Sequence, residues 1–213
     1  MILIEQQIDS QSLAMLLKCR TQLINLINSF KPYCNNYFYI YGGFIRDLIS
    51  GFKPVDIDIN IADSNDKNRV IKYLSKTHDI SYESAWVTRY KSKMGLPKTM
   101  YDIASNFKTP TEFISNSDFS NNAILFDSNY DLFCLDSTIY ANTNRKLILK
   151  PIESNSPMIL AYRAGKLIQK GFVYKSENPI DLIKDIEYQF ELYTNPIDIY
   201  KVNLSINDRN VSR

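Results

Sequence analysis

The sequence predicts an α+β fold, a small mixed or antiparallel sheet flanked by helices and followed by a short helical segment. Three observations carry that expectation. An apolar strand over about residues 37 to 41 ends at Gly42-Gly43 and opens into a helix. A second strand, Val55-Asp56-Ile57-Asp58-Ile59-Asn60-Ile61, alternates strictly between apolar and polar residues. Strand-like runs continue to about residue 135, whereas helical periodicity dominates residues 11 to 30 and the chain beyond 156.

With 213 residues the chain suits one domain of ordinary size plus an appendage, divided here into a main domain over 1–150 and a helical C-terminal segment over 151–213. A content of 45% hydrophobic and 13% aromatic residues is enough to build a core. The formal net charge of +2 gives no general electrostatic grip on nucleic acid, so any RNA contact has to come from a local patch. Cys19, Cys34 and Cys134 are odd in number, far apart and not in Cys-x-x-Cys spacing, which argues against a zinc site or a disulfide framework and for a reducing compartment. His78 is the only histidine, so multi-histidine metal sites and Ser-His-Asp hydrolysis have almost no material unless His78 is itself the base; it reads as a surface or capping residue. No run of 18 apolar residues and no basic-then-apolar N-terminus is present, so the expectation is a soluble cytoplasmic protein with no membrane partner.

Taken in order, Leu13, Leu16, Leu17, Ile24, Ile27 and Phe30 lie at helical spacing, with Asp9 or Ser10 as N-cap, and Pro32 with Asn35-Asn36 stops that helix. The helix after Gly43 buries Phe44, Ile45, Leu48 and Ile49 and leaves Arg46 on its polar side, where Asp47 can hold it. Asp63 to Asp66 caps a helix running to about residue 76. Residues 80 to 107 read as two strands joined by a basic loop: Tyr82, Ala85, Trp86, Val87 and Tyr90 suit the first, and Met100 to Ser105 the second. Arg89, Lys91, Lys93 and Lys98 surround Gly95 and Pro97, a positive segment that suits a polyanion or merely a solvated hairpin tip. Asp127 to Tyr130 forms a turn before the strand Leu132-Phe133-Cys134-Leu135, and Asp136 begins a loop through Asn142, Asn144, Arg145 and Lys146 that joins the two parts. Ser156-Pro157 starts a helix with Leu160, Ala161, Ala164, Leu167 and Ile168 on its apolar face, ending near Gly171. Asn178-Pro179 starts a last helix with Ile183, Ile186, Phe190 and Tyr193 inward, and after Asn195-Pro196 the tail is irregular or docked.

The chemistry concentrates around residues 39 to 61. Glycines let backbone N–H groups approach an anion, a helix start adds partial positive charge, and Arg46 offers a planar cationic fork for phosphate oxygens. In the alternating strand, Val55, Ile57, Ile59 and Ile61 face the core while Asp56, Asp58 and Asn60 face away. Two carboxylates at i and i+2 repel unless they share a cation. Magnesium or manganese is the natural guess, magnesium being held by one or two carboxylates plus substrate phosphates at about 2.0–2.1 Å.

Gly42-Gly43-Phe44-Ile45-Arg46-Asp47 followed by Asp56-Ile57-Asp58 resembles the head domain of class II CCA-adding enzymes and bacterial poly(A) polymerases, within the polymerase-β-like nucleotidyltransferases. The resemblance runs from about residue 37 to 136 and continues more weakly to about 172. Met100-Tyr101-Asp102-Ile103-Ala104-Ser105 resembles the family's Tyr-Glu-Val-Ala-Thr strand, which makes Asp102 the candidate third acid; the alternative is a surface aspartate on an edge strand. Asp118-Phe119-Ser120-Asn121-Asn122-Ala123 is similar to the family's Arg-Arg-Asp-Phe-Thr-x-Asn-Ala segment, which contacts the sugar and phosphates of the nucleotide, so Asp118 and Asn122 become candidate nucleotide-binding residues. Both arginines are absent, replaced by Asn116 and Ser117, and Lys108, Arg89 or a basic C-terminal residue would have to compensate. Arg163 and Lys166 fall where the family has an arginine-containing helix leading to its neck, though Gly171-Phe172 is out of register by about a residue.

The resemblance implies a metal-dependent nucleotidyltransferase. Asp56, Asp58 and Asp102 would hold Mg²⁺ or Mn²⁺ and serve as the catalytic acids, while Gly42, Gly43 and Arg46 would hold the phosphates of a nucleoside triphosphate. The acceptor it implies is an RNA or tRNA 3′ end. No counterpart of the family's base-reading Glu-Asp-x-x-Arg motif is found, and the tRNA-holding body helices are missing. A protein partner or a second copy of the chain would then supply the RNA-binding region. The rival expectation is a noncatalytic nucleotide- or RNA-binding subunit on the same fold.

Overall fold

The computed structural model describes residues 10–105, 108–150, 157–174, 182, 184–185 and 199–202. Six helices and eight strands occur among them: α1 (Ser10–Phe30), β1 (Phe38–Tyr41), α2 (Gly43–Ile49), β2 (Ile57–Ile61), α3 (Ser64–Leu74), β3 (His78–Glu83), β4 (Val87–Ser92) and β5 (Met100–Ala104). There follow α4 (Pro110–Ser115), β6 (Ile124–Asp127), β7 (Leu132–Leu135), α5 (Asp136–Thr143), α6 (Pro157–Gln169) and β8 (Ile199–Val202). The strands form a single sheet in the order β3-β4-β5-β2-β1-β6-β7-β8. Only β2 and β5 run parallel; the other neighbours are antiparallel. The fold is therefore the expected α+β class, a mixed and mostly antiparallel sheet flanked by helices.

The main core lies between the sheet and α1 to α3. Leu16, Cys19, Leu23, Ile27 and Phe30 form one buried stripe on α1, and they meet Ile40, Ile45, Ile59, Ile61 and Ile103. Leu17, expected on that stripe, is exposed instead, because the buried line runs through Cys19 and Leu23. The N-cap of α3 is as expected: the Asp63 side chain accepts the Asp66 amide at 2.8 Å. A second core joins Phe119, Leu147 and Leu149 to Leu160, Ala164 and Leu167 of α6 and to Phe172. Ala161 and Ile168, expected on the apolar face of α6, point outward.

Several expectations give way. The strand read from Tyr82 to Tyr90 is two strands, β3 and β4, with a turn between them. Ser84 fixes the turn, since its Oγ accepts the amides of Trp86 at 3.3 Å and Val87 at 3.1 Å. The connecting loop expected from Asp136 is the helix α5. The short helix α4, unread in the sequence, begins at a capping box in which Thr109 and Glu112 bond each other's backbone amides, with Pro110 at the first helical position. His78 is buried rather than on the surface, its two ring nitrogens 2.8 Å from Thr77 Oγ1 and 2.8 Å from Thr99 Oγ1 and its ring against Tyr101. The last helix expected, with Ile183, Ile186, Phe190 and Tyr193 inward, lies outside the described residues apart from Leu182, Lys184 and Asp185, which are helical. Of the tail, residues 199–202 are described and form β8 against β7.

Candidate active site

A row of side chains crosses the sheet on one face. Strand partners point to the same side, and the register runs Tyr41 to Asp58, Asp58 to Asp102, Asp102 to Arg89 and Arg89 to Tyr82. Asp56, two residues before Asp58, lies just ahead of β2. Val55 also precedes the strand and is 64% exposed, so it is not the core residue the alternation suggested.

This face floors a cleft of about 780 Å³, a size suited to a small-molecule ligand. Asp56, Asp58 and Asp102 all line it, as do Gly42, Gly43 and Arg46, and so do Asp118 and Asn122. These eight residues, the candidate site read from the sequence, therefore line one cavity, whereas Lys91, Lys93 and Lys98 of the basic segment do not. The rest of its lining comes from α4, the segment after it, and α6.

The acids are not equivalent. Burial, followed by the charges of Asp56 and Asp102, pushes the Asp58 carboxyl up to about 7, against the weaker pull of Arg89 and Arg46. Asp102 is held by Arg89 in a bidentate pair, Nε to Oδ1 at 2.7 Å and Nη2 to Oδ2 at 2.5 Å. The same Nη2 lies 3.9 Å from Asp56 Oδ2. Among the described residues no three His, Cys, Asp or Glu side chains converge closely enough to cage a metal by themselves. Asp56 and Asp58 nevertheless suit a hard cation that takes its remaining ligands from substrate and water. They are oxygen donors, and beyond the effect of burial the charges of Asp56 and Asp102 disfavour the Asp58 carboxylate, a repulsion that such an ion would relieve.

The glycine turn and Arg46 form one unit. Gly42 has φ of +67° and ψ of −124°, a conformation open to glycine, and it lets β1 turn directly into α2. Its amide is already spent, donating to Ile124 O at 2.9 Å, so the two-amide phosphate cradle read from the sequence is reduced to Gly43. A Cβ on Gly43 would lie 3.3 Å from Arg46 Nη2, so the second glycine makes room for the guanidinium. Arg46 is buried rather than on an open polar side. It donates from Nε to Asp47 Oδ1 at 2.8 Å and from Nη1 to Asn122 Oδ1 at 2.6 Å. Asp47 does hold it as expected, and its other oxygen takes Lys170 Nζ at 2.6 Å.

Asn116 and Ser117 explain what became of the absent arginine pair. The Asn116 side chain donates back to Glu112 O at 2.7 Å and Ser117 Oγ to Phe113 O at 3.0 Å, so both finish α4 instead of reaching outward. Asp118 is buried and paired with Arg163. Lys150, buried below, donates to the α4 carbonyls of Ile114 at 2.7 Å and Ser115 at 2.5 Å, and burial lowers its pKa to about 8. Sequence reasoning missed Lys170. The signal was present, because Arg163, Lys166 and Lys170 follow helical spacing and all three line the cleft.

Solved structures share this fold, a strand, a Gly-Gly turn into a short helix and an acidic strand beside a cleft. The chain is similar to the Thermotoga maritima CCA-adding enzyme complexed with tRNA (22% identity, TM-score 0.59, 87% of this chain and 48% of that one). It is also similar to a CCA-adding enzyme in complex with CTP (21%, TM-score 0.60, 86% and 47%) and to an apo form of a CCA-adding enzyme (21%, TM-score 0.60, 83% and 45%). The chain thus spans a little under half the length of those enzymes, and at such identity the likeness speaks for the fold.

Residues 17–146 match the family model described as Gad2, Gabija anti-defense 2 family protein, and the chain belongs to that family. No curated protein matches it. Among the described residues no helix is long and apolar enough to cross a membrane.

Proposed function

We propose that the cleft carries out metal-dependent nucleotidyl transfer, moving a nucleoside monophosphate from a nucleoside triphosphate to an acceptor hydroxyl, with an RNA or tRNA 3′ end as the acceptor of choice. The observation that carries this reading is the polarity of the cleft. Asp56, 3.9 Å from Arg89, and Asp58 line it together with the cations Arg46, Lys166 and Lys170. A triphosphate on a divalent cation carries the complementary pattern. The neighbours solved with CTP and with tRNA support these ligand classes by analogy of fold.

In the reaction the acceptor oxygen forms a bond to the α-phosphorus, the bond to the bridging oxygen breaks and pyrophosphate leaves. The hydroxyl proton passes to a cleft carboxylate or to water. Mg²⁺ or Mn²⁺ held by Asp56 and Asp58 would stabilise charge on the attacking and leaving oxygens. Asp102 would be a further ligand only if its pair with Arg89 opened; as it stands, it fixes that guanidinium beside Asp56. Arg46, steadied by Asp47 and Asn122, orients phosphate oxygens over the Gly43 turn. Tyr41, whose ring lies 4.7 Å from that of Phe113, walls the cleft with apolar surface suited to a base or sugar. The family's name supports reading this transfer as an anti-defence act directed against Gabija.

One observation favours a second reading, a noncatalytic nucleotide- or RNA-binding subunit: the bidentate hold of Arg89 on Asp102 keeps the third acid occupied. Incubating the protein with Mg²⁺ or Mn²⁺, each labelled nucleoside triphosphate and a mixed RNA pool separates the two. Labelled RNA that disappears in Asp58→Ala supports transfer, binding without labelled product supports the subunit, and neither binding nor product removes both.

A further inference from the structure

Helix α6 is fastened across the cleft at two points. Arg163 pairs with Asp118, and seven residues on, just past the end of the helix, Lys170 Nζ reaches Asp47 Oδ2 at 2.6 Å. Lys166 falls between these anchors on the same face, three residues after Arg163 and four before Lys170. All three side chains line the cleft.

Charge accounting leaves two cleft-lining cations without an ion pair among the described residues, Lys108 and Lys166, and of the two only Lys166 stands between the anchors of α6. Arg89 is matched by Asp102, Arg46 by Asp47 and Arg163 by Asp118, while Asp47 also takes Lys170. Among the described residues Lys166 has no carboxylate within 4.0 Å, and its Nζ rests 4.4 Å from the centroid of the Tyr162 ring. Such a contact on an exposed side chain is a weak tether that a phosphate readily replaces. Beside it, Arg46, Asp47 and Lys170 together keep one uncompensated positive charge. On the α4 side Asn116 and Ser117 are uncharged and bonded back to their own helix, which leaves Lys108, just ahead of α4, as the cation there.

We propose that Lys166 grips the β and γ phosphates of the bound nucleotide, so that α6, which lies beyond the family-matched residues 17–146, supplies the cation that the segment before Asp118 lacks. This inference rests on the reading that the cleft takes a nucleoside triphosphate. The ion pairs on either side explain why a flexible lysine serves: the helix is held in place, and only the side chain has to move.

Calorimetric titration in Mg²⁺ tests it, using nonhydrolysable analogues of ATP, CTP, GTP and UTP and the matching monophosphates against wild type, Lys166→Ala and Lys166→Arg. Lys166→Ala is expected to weaken the preferred triphosphate about tenfold and its monophosphate less than about twofold, with Lys166→Arg returning most of the loss. Equal losses for both ligands, or triphosphate binding unchanged from wild type, overturn the role of Lys166 and leave the nucleotide reading of the cleft intact. Wild type that binds no nucleotide overturns both.

Discussion

The acidic end of the cleft is laid out by strand neighbours, whereas its basic end is gathered from α2, the distant helix α6 and Lys170 just past it. On the floor, Asp58, Asp102 and Arg89 follow one another across β2, β5 and β4, each fixed by backbone register. Around the basic residues the geometry depends on side-chain charge pairs, above all Asp47, which serves two cations separated in sequence by 124 residues from Arg46 to Lys170. The acidic end should therefore tolerate loss of a partner with its shape intact, and the basic end should not.

The largest expected effect breaks the basic end. Asp47→Ala leaves Arg46 buried and Lys170 half-buried without their shared carboxylate, and the expected cost is about 3–5 kcal/mol of stability in urea denaturation. A loss under about 1 kcal/mol would mean that the wall does not depend on this residue. At the acidic end, Arg89→Ala removes two charge-assisted bonds from the buried Asp102. Its cost should be smaller, about 1–3 kcal/mol, since the arginine is itself partly exposed. Added Mg²⁺ should recover more stability in that variant than in the parent, because Asp102 is then free to bind; equal recovery would separate Asp102 from the cation site.

Gly43→Ala probes the seam between the two ends. The new methyl would sit 3.3 Å from Arg46 Nη2, the far end of a side chain that can shift, so the expected stability change is within about 1 kcal/mol. Triphosphate affinity measured by titration should nevertheless fall roughly threefold, as the guanidinium is pushed off its place. A pH dependence is expected as well. The Asp58 carboxyl has its folded pKa raised to about 7, chiefly by burial. The folded state therefore binds this proton more tightly than the unfolded chain does, and the associated stability is present at low pH and is lost as pH rises from about 4 to 7. Asp58→Asn should flatten that slope in metal-free buffer, and an unchanged slope would assign it elsewhere.

The same contrast decides what could be read from the residues alone. A period of two put Asp56 and Asp58 on one side of a strand, and the Gly-Gly turn beside them was equally local. The pairing of Asp102 with Arg89 was not accessible, because register across β4 and β5 is a tertiary fact. Helix α5 gave no amphipathic signal because part of its buried side is polar. Thr138 Oγ1 donates to Ser120 O at 2.8 Å and Asn142 Nδ2 to Asn121 O at 3.0 Å, so residues that read as a loop are stitched into the interior. The split of β3 from β4 turned on one serine hydroxyl. Lys170 stood in plain helical spacing from Arg163, but only the folded chain brings it to Asp47.

The central claim is that the cleft is polarised, with a cation at the aspartates and phosphates running toward α2 and α6. A crystal structure with Mn²⁺ and a nonhydrolysable nucleoside triphosphate, phased for the manganese anomalous signal, tests it most directly. The account predicts manganese between Asp56 and Asp58 with the triphosphate extending to Arg46 and Lys166. Manganese away from both aspartates, or a nucleotide bound outside the cleft, would contradict it.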